Sequence, residues 1–454
     1  MKKKFSTYFV LLLSVFAVVS CGMGEEEAAP LSPYAYIKSF SIGEIRCSYN
    51  SFTSEGKDTA IVKTMDFSTV GFTIDQHAGR IYNNDSLLFG TDVSRVAIGM
   101  SVEGVPAIYV DSTETYVSAY SSDSIDFTTP RKIRVYSSDA QYFKDYTVSV
   151  NVHQVDPEMM AWTKYPAVEN VSPVRALEHD GEMFLFGRMG DGTPVVAVTA
   201  EGDAAVWNVV EIEDIPAEAL ATVTLFDGKF YAVSAGDVYS SADAKSWDIV
   251  AAGTDAVAIV GASDEDGRLW IAGEQGILCS SDGISFTVSE PLPKGFPLYG
   301  ISVASYPLSH NQGIIRYMVV GYASESADGS ATVWSRLSSE DKWVCYDNED
   351  NAFPCPALNG LSVVRYNSYL YALGGAGVID GNEIDAFSSF YVSKDNGIVW
   401  KENSSYYQRL PEELAGNNAP FAVTVDSKNY LWIINAGEDG GVWKGIINRL
   451  GFER

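Results

Sequence analysis

The chain has 454 residues, a hydrophobic fraction of 46% and a formal net charge of −28. The length allows about two or three domains with packed apolar cores, and a surface this acidic excludes nucleic acid as a partner because it repels phosphate backbones. The 26 tyrosines and nine tryptophans occur in alternating patterns, which favours an all-β protein.

The first twenty residues have the features of a signal peptide. A basic segment, Lys2 to Lys4, precedes the apolar run Tyr8 to Val19. This run is shorter than the about 20 residues that a membrane-spanning helix needs, and it has the length of a signal sequence. It ends in Val18-Val19-Ser20-Cys21, which resembles a bacterial lipobox. The resemblance implies cleavage after residue 20 and diacylation of Cys21, which anchors the protein in a membrane. The alternative is an ordinary secretory signal with a chance cysteine.

Residues 21–33 are predicted to form an acidic linker. Glu25, Glu26 and Glu27 follow the proposed lipid anchor. They resemble the acidic cluster that directs Bacteroidetes lipoproteins to the surface of the outer membrane, although the match is displaced by a few residues. We therefore expect a surface-exposed outer-membrane lipoprotein of a Bacteroidetes-type bacterium. A solvated linker without an export role is the alternative.

Residues 34–156 are predicted to form an Ig-like β-sandwich. Short apolar runs at 107–110, 133–136 and 146–152 are separated by segments rich in Ser, Thr, Asp and Gly. The last of these runs alternates strictly between its two faces, as a half-buried strand does. Asp156-Pro157 then marks the domain boundary, because proline cannot continue strand pairing.

Several segments of this domain resemble an uncharacterised family of Bacteroidetes lipoproteins. They are Ile74-Asp75-Gln76, residues 81–86, Gly90 to Val93 and the closing run 146–153. Members of that family combine an Ig- or cadherin-like N-terminal domain with a kelch-like or Asp-box β-propeller. The resemblance covers nearly the whole mature chain and implies architecture and location, but it implies no activity.

Four triplets in the same domain consist of Asp, then Ser or Thr, then a small or apolar residue. They resemble the O-glycosylation acceptor of secreted Bacteroidetes proteins, with chance occurrence in a serine-rich domain as the alternative. The candidate acceptors are Thr59, Ser86, Ser112 and Ser124.

Two short phrases recur in residues 157–454. The first is an acidic-glycine turn followed by an apolar run, at 180–187, 227–233 and 266–273. Asp-Gly between two apolar runs is a strong hairpin signal, because both turn positions need positive φ. Recurrence at a period of about 40–50 residues is typical of a β-propeller.

The second phrase is Ser-x-Asp followed by an aromatic residue, and it resembles the Asp box of propellers such as sialidases. Its carboxylate is predicted to accept backbone N–H groups in the turn between the third and fourth strands of a blade. The residues of this phrase are therefore interpreted as structural rather than catalytic. They are Asp243, Asp282, Ser393, Asp395, Gly397 and Trp400.

The aromatic residue of the fourth strand predicts the number of blades. It recurs as Trp207, Trp247, Phe286, Trp343 and Trp400. A sixth repeat starts at Phe421 without a clear fourth strand, and the segment around Trp162 supplies one. The sequence therefore predicts a six-bladed propeller closed by this shared strand, because closure removes exposed sheet edges. Seven blades are the alternative if residues 448–454 pair independently.

No constellation in the sequence predicts a cofactor. The four histidines and five cysteines lack metal-site spacing, and no Arg-Ile-Pro element of a sialidase occurs. The acidic loop 347–351 offers oxygen ligands for Ca²⁺, with a solvated loop as the favoured interpretation. Cys345 and Cys355 leave a local disulfide open, since an extracytoplasmic location would permit it.

Long insertions in the fourth and fifth blades carry aromatic side chains of the kind that stack on sugar faces. The candidates are Tyr306, Tyr322, Tyr346, Phe353 and Phe387, with packing inside their own loops as the alternative. We therefore expect a monomeric, membrane-anchored extracytoplasmic lipoprotein that binds a glycan or a protein through its propeller loops without catalysis. The alternatives are a glycan-active hydrolase or lyase with an unrecognised site, and an envelope scaffold without a small ligand.

Overall fold

The computed structural model describes residues 31–53, 57–110, 114–119, 124–200, 202–324, 330–347, 351–379, 381–403, 405–436 and 440–451. The signal peptide, the lipidation candidate Cys21, Ser112 and the middle of the acidic loop 347–351 lie outside these residues. Contacts divide the chain into a first unit, Met1–Tyr49 with Ala60–His153, and a second unit, Asn50–Thr59 with Gln154–Arg454. Within the described part of the chain, no helix is long and apolar enough to cross a membrane.

The N-terminal domain is built from β-strands. They are β1 Tyr36–Ile42, β2 Glu44–Phe52, β3 Asp58–Asp66, β4 Phe72–Asp75, β5 Arg80–Asn83, β6 Ile98–Glu103, β7 Val105–Val110, β8 Thr115–Ser118, β9 Arg131–Tyr136 and β10 Phe143–Ser149. Six of them form one sheet in the order β4-β5-β10-β9-β7-β8, while β1 pairs with β6 and β2 pairs with β3. The prediction of an all-β N-terminal domain is confirmed.

Apolar residues at alternate strand positions form the core of this domain. Ile133 and Val135 of β9 and Tyr146 and Val148 of β10 are buried in one apolar cluster. Their sequence neighbours face the other side of the sheet, because successive strand residues point to opposite faces. The predicted closing strand is too long at its end, since β10 stops at Ser149 and Val152 makes only an isolated bridge to Leu87.

The second unit is a β-propeller, and each blade has four strands. In chain order the strands are β11 Met160–Tyr165, β12 Ser172–His179, β13 Glu182–Arg188, β14 Pro194–Ala200, β15 Asn208–Glu211, β16 Thr224–Phe226, β17 Lys229–Ser234, β18 Gly236–Ser241, β19 Asp248–Ser263, β20 Arg268–Gly273, β21 Gly276–Ser280, β22 Thr287–Glu290, β23 Tyr299–Leu308, β24 Asn311–Tyr322, β25 Thr332–Leu337, β26 Val344–Cys345, β27 Ala357–Leu358, β28 Ser362–Tyr366, β29 Tyr369–Leu373, β30 Gly377–Ile379, β31 Asn382–Ile384, β32 Tyr391–Ser393, β33 Lys401–Glu402, β34 Phe421–Val425, β35 Leu431–Asn435 and β36 Gly441–Ile447. Short 3-10 helices span Ala217–Thr222 and Glu412–Leu414.

The sheet order gives six blades over the described residues. Blade 1 is β12 to β15, blades 2 and 3 share the long strand β19 within β16 to β22, and blade 4 is β23 to β26. Blade 5 is β28-β29-β32-β33, and blade 6 has the order β34-β35-β36-β11. A further small sheet, β27-β30-β31, is formed by the insertion that precedes β28 and the insertion between β29 and β32. No seventh sheet follows Ile447 in the described residues up to 451.

The ring closes through β11. Met160 to Tyr165 pair antiparallel with Ile447 to Val442, so β11 is the outer strand of blade 6. The indole of Trp162 donates to the carbonyl of Arg409 at 2.8 Å. Its ring lies on Gly445, where a Cβ atom would meet it at 2.5 Å. The segment that the sequence assigns to closure therefore occupies the expected place.

Blade 2 departs from a regular repeat at its first and fourth strands. The first strand begins only at Thr224, because the preceding Ala217–Thr222 is a 3-10 helix. Ala219 and Leu220 of the helix are fully buried in the cluster between blades 1 and 2, and this tertiary packing sets the local conformation. The fourth strand, β19, does not end within the blade but runs on into blade 3.

The Ser-x-Asp phrases form tight turns. Asp243 Oδ1 accepts the backbone N–H groups of Lys245 and Ser246 at 2.9 and 3.0 Å. Asp282 accepts those of Ile284 and Ser285 at 2.8 and 2.7 Å. Both carboxylates are therefore occupied by backbone donors of their own turn.

The third copy of the phrase keeps the serine-to-aspartate and indole bonds of the first copy but is one residue longer, so its backbone donors differ. Asp395 Oδ1 accepts from Ser393 Oγ at 2.8 Å and from the N–H of Val399 at 2.9 Å. Gly397 has a φ of 95°, and its N–H donates to Ser393 Oγ while its carbonyl accepts from the indole of Trp400 at 2.9 Å.

Blade 1 carries a fourth such turn that the sequence did not reveal. Asp203 Oδ1 accepts from the N–H of Ala205 at 3.2 Å, and the indole of Trp207 donates to Ala204 O at 3.1 Å. The residue in the place of the usual serine is Thr199, which is four residues before the aspartate instead of two, so this turn does not match the Ser-x-Asp pattern. The position of Trp207 was the sequence signal that could have located the turn.

These turns make the stability of the propeller sensitive to acid. Hydrogen bonds from the turn N–H groups hold the pKa of Asp243 and Asp282 below the usual value. A lowered folded-state pKa contributes stability above the unfolded value of about 3.9, and this contribution disappears as the pH falls through the folded value. We expect the Tm of the double variant Asp243→Asn with Asp282→Asn to fall less between about pH 5 and pH 2 than the Tm of the parent protein falls. Circular dichroism melts across this range measure the difference, with Asp248→Asn as the control in an exposed position. Parallel Tm curves for parent and double variant would contradict the assignment.

Candidate functional site

Two of the aromatic residues proposed for ligand stacking are internal. Tyr306 and Phe387 expose only 6% and 3% of their surface. The Tyr306 hydroxyl donates to Asn396 Oδ1 at 3.1 Å, and the Phe387 ring packs edge-on against Phe421 with 4.8 Å between centroids. The prediction that these rings stack on a ligand is therefore wrong, because both fill the core where neighbouring blades meet.

Two further candidates are half-buried with engaged hydroxyl groups. Tyr322 donates to Leu358 O at 2.9 Å, and burial raises its pKa to about 12. The Tyr346 hydroxyl accepts from Arg316 Nη1 at 2.6 Å. Both rings pack against the apolar cluster of blades 4 and 5. They are corrected to loop-packing residues, which was the alternative interpretation from the sequence.

Phe353 is the one exposed member of the five. Its exposed fraction is 46%, and Lys401 Nζ lies 4.7 Å from its ring centroid. A single ring beside a lysine makes a poor platform for a sugar chain. The expected aromatic surface is therefore not formed by the described propeller loops.

The remaining site candidates of the N-terminal domain stay predictions. Ser124 is exposed, while Thr59 and Ser86 are half-buried. Accessibility of this kind permits O-glycosylation at Ser124 more readily than at the other two.

Cysteine and metal chemistry receive no support from the geometry. Cys345 is exposed, Cys355 is buried, and both are free thiols, so the local disulfide is not formed. Burial raises the pKa of the Cys355 thiol. Across the described residues, no group of three or more His, Cys, Asp or Glu side chains is placed to hold a metal ion.

Exposed aromatic residues gather instead around a groove in the first unit. The groove has a volume of about 760 Å³ and runs between the start of β1 and the start of β10. Tyr34, Tyr36, Tyr142 and Phe143 line it, and all four are exposed. An exposed apolar patch rimmed by polar groups is typical of a binding surface.

A polar network forms the floor of this groove. The Tyr146 hydroxyl donates to Gln76 Oε1 at 2.6 Å and accepts from the N–H of Ile37 at 3.2 Å. Lys144 Nζ donates to the same Gln76 oxygen at 3.1 Å, and Gln76 Nε2 donates to Ile37 O at 2.6 Å. These bonds fix β1 against β10, so Tyr36 and Phe143 at the starts of the two strands have defined positions.

Cationic side chains border the aromatic residues. Lys38 Nζ pairs with Glu103 at 2.6 Å, and this hydrogen bond raises the pKa of Lys38. Arg134 lies on the outward face of β9, with its guanidinium 3.9 Å from the ring centroid of Phe143. It also forms two hydrogen bonds to Asp145, at 2.6 and 2.8 Å, which raise the pKa of Arg134 further. One face of Phe143 is therefore covered by a permanent cation.

The lining of the groove combines aromatic rings with hydrogen-bond donors. The described residues that line it include no Asp, Glu or His. Glycoside hydrolysis in most families needs two carboxyl groups beside the scissile bond. What the groove offers is aromatic faces and the donors of Lys38, Lys144 and Gln76.

The sequence did not lead to this groove. Tyr142 and Phe143 follow a turn, and Tyr34 and Tyr36 alternate at the start of the first strand. Aromatic residues at outward strand positions were the available signal, but the pairing of strands distant in sequence was needed to bring them together.

Two family models match the chain. A model described as the DUF6242 beta propeller domain matches residues 156–454. The chain belongs to the DUF6242 family. The DUF6242 N-terminal domain, a domain of unknown function, matches residues 40–150. An N-terminal β-domain followed by a propeller in an uncharacterised family is the architecture that the sequence resemblance implied.

Comparison of this DUF6242 chain with solved structures gives distant likenesses. A DUF4623 family protein from Bacteroides eggerthii shares 12% identity, with 91% of this chain and 98% of that chain covered and a TM-score of 0.35. The GH93 α-L-arabinofuranosidase of Fusarium graminearum, in complex with arabinobiose, shares 12% identity over 64% of this chain and 98% of that chain, with a TM-score of 0.37. The lectin of Aleuria aurantia, in complex with α-methyl-L-fucoside, shares 11% identity over 63% of this chain and 93% of that chain, with a TM-score of 0.32. No curated protein matches the DUF6242 chain. Likenesses at this level carry no argument about activity.

Proposed function

We propose that this protein is a membrane-anchored extracytoplasmic lipoprotein that binds a glycan without catalysis, through the aromatic groove of its first unit. The observation that carries the proposal is the groove of about 760 Å³ with four exposed aromatic side chains along it. Aromatic faces stack on the C–H faces of sugar rings, and the surrounding donors satisfy sugar hydroxyl groups. The propeller-loop site expected from the sequence is replaced by this one, because its aromatic residues are mostly internal.

The chemistry of the groove favours a glycan over a protein surface. Its polar side chains are Lys38, Lys144 and Gln76, and the ammonium protons that Glu103 and Gln76 leave unused can be donated to sugar hydroxyl groups. The groove is open to solvent, so it admits a chain as well as a single ring. The absence of carboxyl groups among the lining residues supports binding without turnover.

Membrane anchoring rests on the sequence of the first 21 residues. The lysines, the apolar run and the Ser20-Cys21 junction together resemble a lipoprotein signal, and the acidic residues after Cys21 support display at the outer surface of a Bacteroidetes-type cell. Two or more acyl chains on one cysteine give stable attachment, since each buried methylene contributes about 0.8 kcal/mol.

Substitution of groove aromatics is expected to weaken glycan binding. A glycan array on the soluble 22–454 fragment identifies a ligand, and titration of that ligand measures Kd. We expect Tyr34→Ala and Tyr142→Ala each to weaken binding by about tenfold or more, because each removes an exposed stacking surface. Both rings are about two-thirds exposed (65% and 63%), so neither substitution should disturb folding.

Phe353→Ala is the matched control, because it removes an exposed ring from the propeller and leaves the groove intact. Equal loss of affinity in the control would reject the groove as the binding surface. A parallel assay for released sugar tests the absence of catalysis, and product formed by the parent protein would overturn that part of the proposal.

A further inference from the structure

Two arginines of blade 1 lie on the same face of its sheet. Arg175 on β12 pairs directly with Phe186 on β13, and Arg188 is two residues beyond Phe186. Directly opposed residues share a face, and so do residues two apart along a strand. Phe186 belongs to the apolar cluster that joins blade 1 to blade 2. Both guanidinium groups therefore project towards blade 2.

The 3-10 helix Ala217–Thr222 lies against this pair. Arg188 Nη2 donates to Ala217 O at 2.9 Å, and the helix contacts β12 and β13. Both arginines keep part of their surface accessible. The two arginines and the 3-10 helix therefore lie together where blades 1 and 2 meet.

Arg175 and Arg188 form no ion pair with any described Asp or Glu side chain, in a chain with 59 acidic residues. The Nε atoms of both side chains are sealed from solvent and have no hydrogen-bond partner. Burial, with no neighbouring charge to offset it, lowers the pKa of Arg175.

This arrangement is unfavourable without a ligand. A desolvated charge destabilises the folded state unless it is paired, and so does a buried donor that has no acceptor. Arg336, whose Nε is also unpartnered, differs in having a counter-charge, because its Nη1 lies 3.4 Å from Glu290 Oε1. The guanidinium fork matches the geometry of an oxyanion, which accepts two parallel hydrogen bonds.

We propose that Arg175 and Arg188 form an anion site that binds a carboxylate or another oxyanion between blades 1 and 2. The site lies on the propeller and is independent of the aromatic groove. The carboxylate of an acidic sugar and a free inorganic oxyanion share the required chemistry, and the two sources are separated by experiment.

Thermal unfolding of the soluble 22–454 protein tests the site. Sodium glucuronate, sodium phosphate and sodium sulfate are titrated against sodium chloride at matched ionic strength, with glucose as the neutral sugar. We expect at least one oxyanion to give a saturable rise in Tm, whereas glucose gives none. Saturation with glucuronate alone identifies an acidic sugar, and saturation with phosphate or sulfate identifies a free anion. Absence of saturation with all three overturns the proposal.

Arg175→Met provides the decisive variant. We expect it to weaken the apparent anion affinity by about tenfold or more, because the charged donor is lost. In chloride alone it should melt at or above the parent temperature, since an uncompensated charge has been removed. Arg365→Met, on the inner strand of blade 5 and stacked 4.0 Å from the Tyr306 ring centroid, is the control and should keep the anion response. If Arg175→Met does not fold, Arg188→Met serves in its place, and an unchanged anion response in the substituted protein rejects the site.

Discussion

Deletion of residues 158–167 is expected to unfold the propeller rather than trim its edge. The deletion removes all of β11, which is the outer strand of blade 6 and pairs with β36 from Val442 to Ile447. It also removes Met160, which is buried in the cluster shared by blades 5 and 6. Without this strand the edge of β36 is unpaired, and an exposed sheet edge promotes aggregation.

Tryptophan fluorescence measures unfolding of the propeller selectively. All nine tryptophans lie between residues 162 and 443, so their emission reports only on the second unit. We expect the deletion variant to show solvent-exposed tryptophan emission without denaturant and to aggregate. A variant that melts cooperatively at the parent temperature would show that β11 is dispensable.

Point substitutions in β11 measure how much individual side chains of this strand contribute to the stability of the propeller. Trp162→Ala removes a half-buried ring and its hydrogen bond to Arg409 O, and we expect a loss of roughly 2–4 kcal/mol in the free energy of unfolding. Thr163→Ala is the control, because Thr163 is exposed in the same strand and should change stability by less than about 0.5 kcal/mol.

Gly445 supplies an independent check on the closing contact. A Cβ atom at this position would lie 2.5 Å from the Trp162 ring, so Gly445→Ala should cost roughly 1–3 kcal/mol. In the Trp162→Ala background the clash is gone, and the same substitution should cost clearly less. Equal costs in both backgrounds would mean that the ring does not rest on Gly445.

Loss of the Asp426 carboxylate is expected to be the most damaging single change in blade 6. Asp426 follows β34 and is buried with Lys444 of β36, whose Nζ lies 3.8 Å from Oδ2. The same oxygen accepts from the indole of Trp432 at 2.8 Å, and Oδ1 accepts from the N–H of Tyr430 at 2.7 Å. Asp426→Ala leaves the lysine and these donors without their carboxylate, which costs about 3–5 kcal/mol for a buried pair.

Urea denaturation followed by tryptophan fluorescence measures this loss. The double variant Asp426→Ala with Lys444→Met should recover part of the stability, because the uncompensated charge has been replaced by an apolar side chain. Glu169→Ala, at an exposed loop position, should stay within about 0.5 kcal/mol of the parent. If Asp426→Ala also stays within that margin, the buried pair does not stabilise the blade.

Local sequence patterns were sufficient to predict the propeller. Asp180-Gly181 and Asp227-Gly228 have positive φ at both positions, as an Asp-Gly hairpin requires. The aromatic residues Trp247 and Trp400 directly precede fourth strands. Because each blade repeats the same aromatic position, the spacing of these residues along the sequence predicted the number of blades and the closing strand.

Contacts between distant segments could not be read in this way. Phe387 and Tyr306 look like exposed loop residues in sequence, yet neighbouring blades enclose them. The small sheet β27-β30-β31 joins two insertions that are separate in sequence. Likewise, the unpaired charges of Arg175 and Arg188 are visible only once the strands are in register. Whether a side chain faces a ligand or a neighbouring blade is decided by tertiary packing.

The position of β11 also governs the order in which the nascent chain can fold. Met160 is synthesised before any of blades 1 to 5, but its partner Ile447 belongs to the sixth repeat. Pairings between residues so far apart form slowly, because a long loop must first be closed. Throughout synthesis the growing array has two unpaired edges, β11 at one side and the newest blade at the other. The unpaired strand edges of this incomplete ring favour association with chaperones or with other chains. They are covered only when the sixth repeat has been synthesised and pairs with β11.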